Sequence, residues 1–125
     1  MSGHHTDRVP ARVSAAVFAE NLKGELLLLR RAPKLVGAGL FSPPGGGGKL
    51  GEDPISTVLR ESKEETNLDI DLLGLMAIVT VPTKSGTTRV GFVFRGKIRD
   101  FSVLKYGDEV AGHDFFSRGA ISFLL

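Results

Sequence analysis

The stretch from Gly46 to Leu68 constrains the fold more than any other part of this 125-residue chain. It begins with a run of glycines, whose backbone can adopt conformations closed to other residues, and it continues into a segment with clear helix signals. Asp53 is a good N-cap, Pro54 suits the first helical position, and Asn67 tolerates the left-handed conformation that closes many helices. The sequence therefore predicts a flexible loop followed directly by a helix.

Acidic residues and packing residues are predicted to lie on different sides of this helix. At one hundred degrees per residue, Glu61, Glu64 and Glu65 share an arc of about 100°. The packing positions centre more than a right angle away; they are Ile55, Val58, Leu59 and Ser62. A carboxylate arc of this kind is either a solvated surface or a cation site. Glu61 and Glu65 repel each other across one turn, and a divalent cation would reverse that cost.

Two antiparallel strand pairs are expected around the helix. Residues 13–18 and 25–29 form the first pair through a turn at 21–24, and residues 72–81 pair with 88–94 across residues 82–86. Leu26 to Leu29 is continuously apolar, which predicts a strand covered on both faces.

The other segments give weaker signals. Two prolines limit residues 41–48 to a short extended entry into the glycine loop, because proline cannot donate to a strand ladder. The remaining expectations are a loop at 97–107, a short strand at 113–116 and a terminal helix at 120–125.

The composition is that of one globular domain, so we expect a single domain over residues 1–125. Hydrophobic residues make up 42% and charged residues 24% of the chain. The net charge is only +2 and lysine and arginine form no block, which argues against a nucleic-acid partner. The chain has no cysteine, which excludes a thiolate metal site and fits a reducing cytoplasmic compartment. No signal peptide is visible, and a metal pair at His4 and His5 is not expected near a terminus.

Membrane insertion is also not expected. The longest apolar segment, residues 72–81, is far shorter than the ~20 residues that a membrane-spanning helix needs. A homodimer is compatible with the sequence.

Seven residues of the central stretch stand at the spacing of a known signature, the Nudix box. Pro44-Gly45 before it resembles the usual approach, whereas Ser62 stands in place of an aliphatic residue and Asn67 in place of the closing glycine. The chain therefore resembles Nudix hydrolases over 23 residues. The matching residues are Gly46, Glu52, Arg60, Glu61, Glu64, Glu65 and Leu68.

The resemblance implies an α/β (α+β) fold: an α/β/α sandwich with a mixed, mainly antiparallel sheet and the loop and helix at its centre. It also implies Mg²⁺ or Mn²⁺ bound by Glu61, Glu64 and Glu65 together with Gly46. Arg60 and Glu52 resemble the orienting pair of the box. The backbone of Gly45 and Gly46 is expected to bind a phosphate oxygen or to help hold the cation.

The catalytic base is taken from different places in this family. Glu64 within the box is one candidate. Glu109, or its neighbour Asp108, is the other, in a late loop that is equally well explained as a solvated turn. His113 is expected to be an ordinary strand residue.

The reaction implied is attack of water on a phosphorus of a nucleoside diphosphate linked to another group, so the expected partner is a small nucleotide. Pro82 slightly favours an ADP-ribose or nucleotide-sugar substrate. Two alternatives stay open: a MutT-like enzyme that releases pyrophosphate from nucleoside triphosphates, and a nucleotide sensor with weak catalysis. Aromatic candidates for base recognition, most of them expected in the core, are Phe41, Phe92, Phe94 and Tyr106.

Overall fold

The computed structural model describes residues 8–35 and 38–122, so His4, His5 and the end of the predicted terminal helix lie outside the described residues. Seven strands and two α-helices are found there. In chain order they are β1 (Ala11–Glu20), β2 (Leu26–Arg31), β3 (Phe41–Ser42), β4 (Gly45–Gly47), α1 (Pro54–Thr66), β5 (Ile70–Pro82), β6 (Thr88–Ile98), β7 (Val110–Phe116) and α2 (Arg118–Ser122), with a 3₁₀ turn at Phe101–Val103 before β7.

The strands form one mixed sheet in the order β3-β2-β1-β6-β5, with β4 added to β1 and β7 added to β2. β1 and β6 pair in parallel from Ala11–Thr88 to Glu20–Lys97. The other pairings between described strands are antiparallel. This mixed, mainly antiparallel α+β arrangement confirms the predicted fold class.

The predicted strand pairs are confirmed, and each strand is longer than predicted. β1 and β2 are antiparallel and meet at Glu20 and Leu26, and β5 and β6 form the second pair. Leu26 to Leu29 is buried throughout, as its continuous apolar run predicted.

The prediction of a loop was wrong for Gly45–Gly47. These glycines form β4, which pairs with Ser14 to Ala16 of β1. A glycine run carries little strand propensity of its own, so this strand depends on its partner. The predicted loop at 97–107 also proved too long, because β6 extends to Ile98.

Apolar side chains pack on both faces of the sheet. One cluster joins Val17, Leu27 and Phe94 of the sheet to Val58 of α1. The opposite face holds a smaller cluster. α1 therefore covers one face of the sheet, and β4 and α1 meet on that face.

The helix ends are as predicted. Asp53 accepts a hydrogen bond from the Ser56 amide at 2.7 Å, and Asn67 adopts a left-handed φ of 62° with its amide bonded to the Lys63 carbonyl. None of the described helices is long and apolar enough to span a membrane.

The predicted packing face of α1 was partly wrong. Ile55 and Leu59 are 54% and 39% exposed, whereas Val58 and Ser62 are buried as predicted. The buried side is completed by small polar residues, Thr57 and Thr66. Hydroxyl groups on this side are satisfied locally; Thr66 Oγ1, for example, donates to the Ser62 carbonyl at 2.6 Å.

The buried side of α1 is thus turned, relative to the predicted one, toward the carboxylates. The buried side extends from Thr57 at one edge to Thr66 at the other, and this arc includes Glu61 and Glu65, which are both partly buried. Glu61 and Glu65 are thus not segregated from the packing side, whereas Glu64 is exposed. Small side chains on α1 and glycines on β4 let the helix approach the sheet closely, so the two glutamates lie in this contact.

Candidate active site

Arg60 forms the centre of the polar contacts on α1. Its Nε donates to Glu52 Oε2 at 2.8 Å and its Nη2 donates to Glu52 Oε1 at 2.9 Å, a two-point contact between planar groups. The Arg60 side chain is 21% exposed and that of Glu52 15% exposed. The pair predicted to have an orienting role is therefore formed and largely shielded from solvent.

Arg60 also contacts two of the predicted metal ligands. Its Nη1 donates to Glu61 Oε1 at 2.7 Å and to Glu64 Oε1 at 3.2 Å. Its Nη2 donates to the carbonyl of Gly47 in β4 at 3.0 Å. These bonds raise the pKa of Arg60, with Glu52 making the largest contribution. One guanidinium thus fixes Glu61 and Glu64 relative to the glycine strand.

Glu52 is held as a carboxylate by several donors. Besides Arg60, the Lys49 amide donates to it at 3.0 Å and Thr57 Oγ1 at 2.9 Å. The hydrogen bond from Arg60 is the largest cause that lowers the pKa of Glu52 to about 2. Glu52 is therefore held as a carboxylate at neutral pH, in a fixed orientation toward Arg60.

Glu65 has the opposite character. It is partly buried, and its Oε1 accepts a hydrogen bond from the Gly45 amide at 2.8 Å. Burial raises the pKa of Glu65 to about 7, and the nearby charges of Glu61 and Glu109 act in the same direction. Its negative charge is thus poorly compensated, which is the environment in which a bound cation is most favourable.

Two of the glycines of β4, Gly45 and Gly46, lie in close contact with neighbouring groups. A Cβ at Gly46 would lie 2.5 Å from Glu61 Oε2, and a Cβ at Gly45 would lie 2.2 Å from the Ala15 carbonyl oxygen. The Gly45 amide donates to Glu65. The predicted contact of the Gly45 amide with a phosphate or cation therefore stays a prediction.

The donor set fits a hard divalent cation. Carboxylate oxygens of Glu61, Glu64 and Glu65 are the ligands that Mg²⁺ and Mn²⁺ prefer, and the space beside Gly46 that a Cβ would fill borders Glu61 Oε2. Over residues 8–35 and 38–122, no three acidic or histidine side chains already converge on one point. Glu61 and Glu64 bind Arg60, and Glu65 binds Gly45, so loading a cation requires side-chain rotation.

The loop before β7 brings Glu109 to the same end of α1. The Gly107 amide donates to the Glu65 carbonyl at 3.0 Å, and the Glu109 carbonyl accepts from the Ala32 amide at 2.9 Å. The Glu109 side chain is exposed and lies 4.0 Å from Arg31 Nη1. Glu109 is thus close enough to Glu65 to raise its pKa, which no spacing in the sequence could establish.

The other candidates have simpler roles. Asp108 is exposed at the tip of the same loop. His113 lies in β7 as predicted, and its Nδ1 is hydrogen-bonded to the Tyr106 hydroxyl. Phe94 is buried and Phe92 packs against the core, whereas Phe41 contacts Phe116 edge to face and is partly exposed.

Two contributing residues were missed by the sequence analysis. Thr57 binds Glu52, and Arg31 lies beside Glu109 at the end of β2. The polar position of Thr57 one turn before Glu61, and the arginine pair that closes an apolar strand, are the signals that could have indicated them.

Comparison with known proteins gives a consistent result. The family model described as NUDIX domain matches residues 10–123. No curated protein matches the chain.

Solved structures share the fold. A MutT protein from Methanosarcina mazei Go1 is 27% identical, with a TM-score of 0.77 over 91% of this chain and 82% of that one. A UDP-X diphosphatase is 25% identical, with a TM-score of 0.66 over 88% of this chain and 51% of that one. An Ap4A hydrolase from C. elegans is 21% identical, with a TM-score of 0.72 over 89% of this chain and 84% of that one, and at this identity it supports the fold alone.

Proposed function

Because the chain belongs to the Nudix family of hydrolases, we propose that it is a divalent-cation-dependent pyrophosphohydrolase acting on a nucleoside diphosphate linked to another group. Family members act on nucleotide-type small molecules and generally use divalent metals. The observation that carries the proposal is the contact between α1 and β4. There Arg60 orients Glu61 and Glu64, and Gly45 orients Glu65.

Glu61, Glu64 and Glu65, with the backbone of Gly46, would hold Mg²⁺ or Mn²⁺. When bound, the cation supplies charge stabilisation to phosphate oxygens and lowers the pKa of water. Arg60 acts by positioning: its fork fixes Glu52 and leaves Nη1 to restrain two ligands at once.

Glu109 is assigned as the catalytic base that accepts the proton of the attacking water, with Glu64 as the alternative. The water oxygen forms a bond to phosphorus, its proton passes to the carboxylate, and the bond from phosphorus to the bridging oxygen breaks. The bridging oxygen leaves with the second phosphate, giving two phosphorylated products. Glu109 is exposed on a loop anchored to α1 and β2, so it can approach a substrate while Glu64 stays with Arg60.

The favoured substrate is of the ADP-ribose or nucleotide-sugar type. The similarity to a UDP-X diphosphatase supports this choice. Pro82 adds little, because it is the last residue of β5 before the turn to β6, where proline suits any hairpin.

The MutT-like alternative, release of pyrophosphate from a nucleoside triphosphate, has support of its own. The similarity to the MutT protein from Methanosarcina mazei is closer than that to the UDP-X diphosphatase. A sensor with weak catalysis is less well supported, because every box carboxylate is present and Arg60 holds three of them.

A hydrolysis screen tests the proposal. Purified protein with Mg²⁺ or Mn²⁺ would be given ADP-ribose, nucleotide sugars, nucleoside triphosphates and dinucleoside polyphosphates, with products separated by chromatography. Cleavage of a nucleotide sugar or ADP-ribose to a nucleoside monophosphate and a sugar phosphate is the expected result. The control is Glu61→Gln, which should lose the activity.

Other results would redirect the assignment. Pyrophosphate released from a triphosphate supports the MutT-like alternative. Nucleotide binding without turnover supports a sensor. Full activity in excess chelator contradicts the cation-dependent proposal altogether.

A further inference from the structure

Two arginines lie side by side on the sheet face opposite α1. Arg12 of β1 and Arg89 of β6 are register partners in the parallel pair, so their side chains leave the same face. Ala15 and Val17 of β1 pack on the α1 side, and strand alternation therefore puts Arg12 on the other one. Like charges at directly paired positions destabilise a sheet, so this placement needs an explanation.

Neither guanidinium has a partner among the residues that the structure describes. Over residues 8–35 and 38–122, Arg12 and Arg89 donate no hydrogen bond and form no ion pair. Other arginines of the same sheet region do pair: Arg95 with Glu20 and Arg99 with Asp71. Each guanidinium offers five N–H donors in a planar fork. The two arginines thus present a concentrated, unused set of donors.

Hydroxyl groups complete the lining. Both arginines border a cavity of about 260 Å³ whose other walls are Thr83, Ser85 and Thr87 of the β5–β6 turn. The turn is closed by a hydrogen bond from the Thr83 amide to the Thr87 carbonyl at 2.9 Å. Thr83 Oγ1 donates to the Thr87 carbonyl at 2.7 Å and lies 2.9 Å from Ser85 Oγ, and Ser85 Oγ donates to Thr87 Oγ1 at 3.3 Å, which leaves the Thr87 hydroxyl hydrogen for a ligand. The hydroxyls are therefore held together in a defined turn next to the two cations.

The charge around this cavity is positive. No aspartate or glutamate is among its described lining residues, and Lys84 lies in the same turn. A neighbouring cavity shares Arg12 and is bordered by Glu52, but that carboxylate is already held by Arg60. Arginine forks and hydroxyls match the oxygens of a phosphate, which would also remove the repulsion between the arginines.

We propose that Arg12 and Arg89, with the hydroxyls of Thr83, Ser85 and Thr87, form a phosphate-binding site separate from the carboxylate centre. The ligand chemistry is a phosphate group with at least two exposed oxygens. Inorganic phosphate and a phosphate carried by a nucleotide share this chemistry. A nucleotide could reach this site, because the neighbouring cavity runs from Arg12 to Gly47 of β4 and to Lys49 between β4 and α1.

Binding of inorganic phosphate is measured first, without divalent cation, so that the result does not depend on hydrolysis. The probe is potassium phosphate titrated against matched potassium chloride, followed by backbone amide NMR shifts and by melting temperature. We expect saturable shifts at Arg12 and in residues 83–89. The Arg12→Gln/Arg89→Gln double variant should lose affinity by roughly tenfold or more, since two charge-assisted contacts are removed.

The control is a double variant with the same change in charge, Lys23→Gln/Lys97→Gln. Both lysines are exposed, Lys23 in the β1–β2 turn and Lys97 near the end of β6, and neither borders this cavity. This lysine double variant should retain the wild-type response to phosphate. Without phosphate, the arginine double variant should fold and melt at the wild-type temperature or above, because repulsion is relieved.

Kinetics then distinguish the two sources. If the site takes a phosphate of the substrate, the arginine double variant raises KM for nucleotides with an additional terminal phosphate and leaves KM unchanged for those without one. If it takes free phosphate, KM is unchanged for both while phosphate binding is lost. Equal phosphate affinity in wild type and the arginine double variant, shifts confined to residues 45–48, or no saturable binding would each overturn the site.

Discussion

Arg60 binds Glu52 through both carboxylate oxygens and still has Nη1 available for Glu61 and Glu64. Arg60→Ala should leave the fold intact and lower turnover about 10–100-fold, the usual effect of removing an outer-shell partner. Arg60→Lys should recover only part of the lost turnover, because an ammonium lacks the planar fork of a guanidinium.

Steady-state kinetics and cation titration of these Arg60 variants check the expectation. Lys63→Ala is the control, since Lys63 lies on the exposed side of α1 and pairs with Asp69. A wild-type rate in Arg60→Ala would contradict a positioning role.

The three glycines of β4 should respond differently to alanine. Gly46→Ala pushes against the flexible end of Glu61, so the fold should survive while cation affinity and turnover fall. Gly45→Ala meets the backbone of Ala15 and should lower the melting temperature. Gly47→Ala meets nothing within 4 Å and should resemble wild type. Melting curves and cation titration separate these outcomes, and equal cation affinity in Gly46→Ala and Gly47→Ala would refute the role of Gly46.

Glu65 makes the cation-free protein less stable as pH rises. Its folded pKa of about 7 lies above the ordinary 4.5. Its contribution to the free energy of unfolding is therefore greatest below pH 4.5 and is lost as pH rises through 7. Glu65→Gln should melt above wild type at pH 8 and close to it at pH 4. Thermal melts across pH test this, with Glu64→Gln, an exposed position, as the control.

Adding Mg²⁺ should reverse the order of Glu65→Gln and wild type at pH 8. The cation stabilises the wild type by binding the folded state only, whereas the variant has lost a ligand. A variant that gains as much melting temperature from Mg²⁺ as wild type would show that Glu65 is not a ligand.

Glu109→Gln distinguishes the two base candidates. If Glu109 takes the proton, turnover should fall roughly 10²–10⁴-fold with little change in cation affinity. Asp108→Asn, in the same exposed loop, is the matched control and should remain active. An unimpaired Glu109→Gln enzyme would assign the role to Glu64.

The fold was predictable where local signals agreed with tertiary contacts. Asp53 and Asn67 mark helix ends through their own chemistry, and Leu26 to Leu29 is a strand buried on both faces. The β4 strand was not predictable, because it exists only through its pairing with β1. Helical periodicity alone also misplaced part of the packing face of α1, since Ile55 and Leu59 are apolar but exposed, whereas the polar residues Thr57 and Thr66 are buried.

The candidate site was predictable in its residues but not in its electrostatics. The spacing of the Nudix box identified both Glu52 and Glu65 as site residues, and as two glutamates they cannot be told apart by residue type. The sequence could not show that Arg60 keeps one ionised to low pH, while burial brings the other close to neutrality at pH 7. That difference depends on side-chain contacts and solvent exclusion. The approach of Glu109 likewise depends on how its loop returns to the end of α1.

The parallel pairing of β1 with β6 has a consequence for the order of folding. The segment between these strands contains the glycine strand, α1 and β5, so the pairing closes a long loop and carries a large entropic cost. Contacts of such long range form slowly relative to helices and hairpins. α1 and the β5–β6 hairpin can form early, but β4 has no strand to join until β1 is in place. The alignment of Gly46 with Glu61 therefore needs β1, β4 and α1 together, and we expect cation affinity to appear during refolding only once β4 has joined β1.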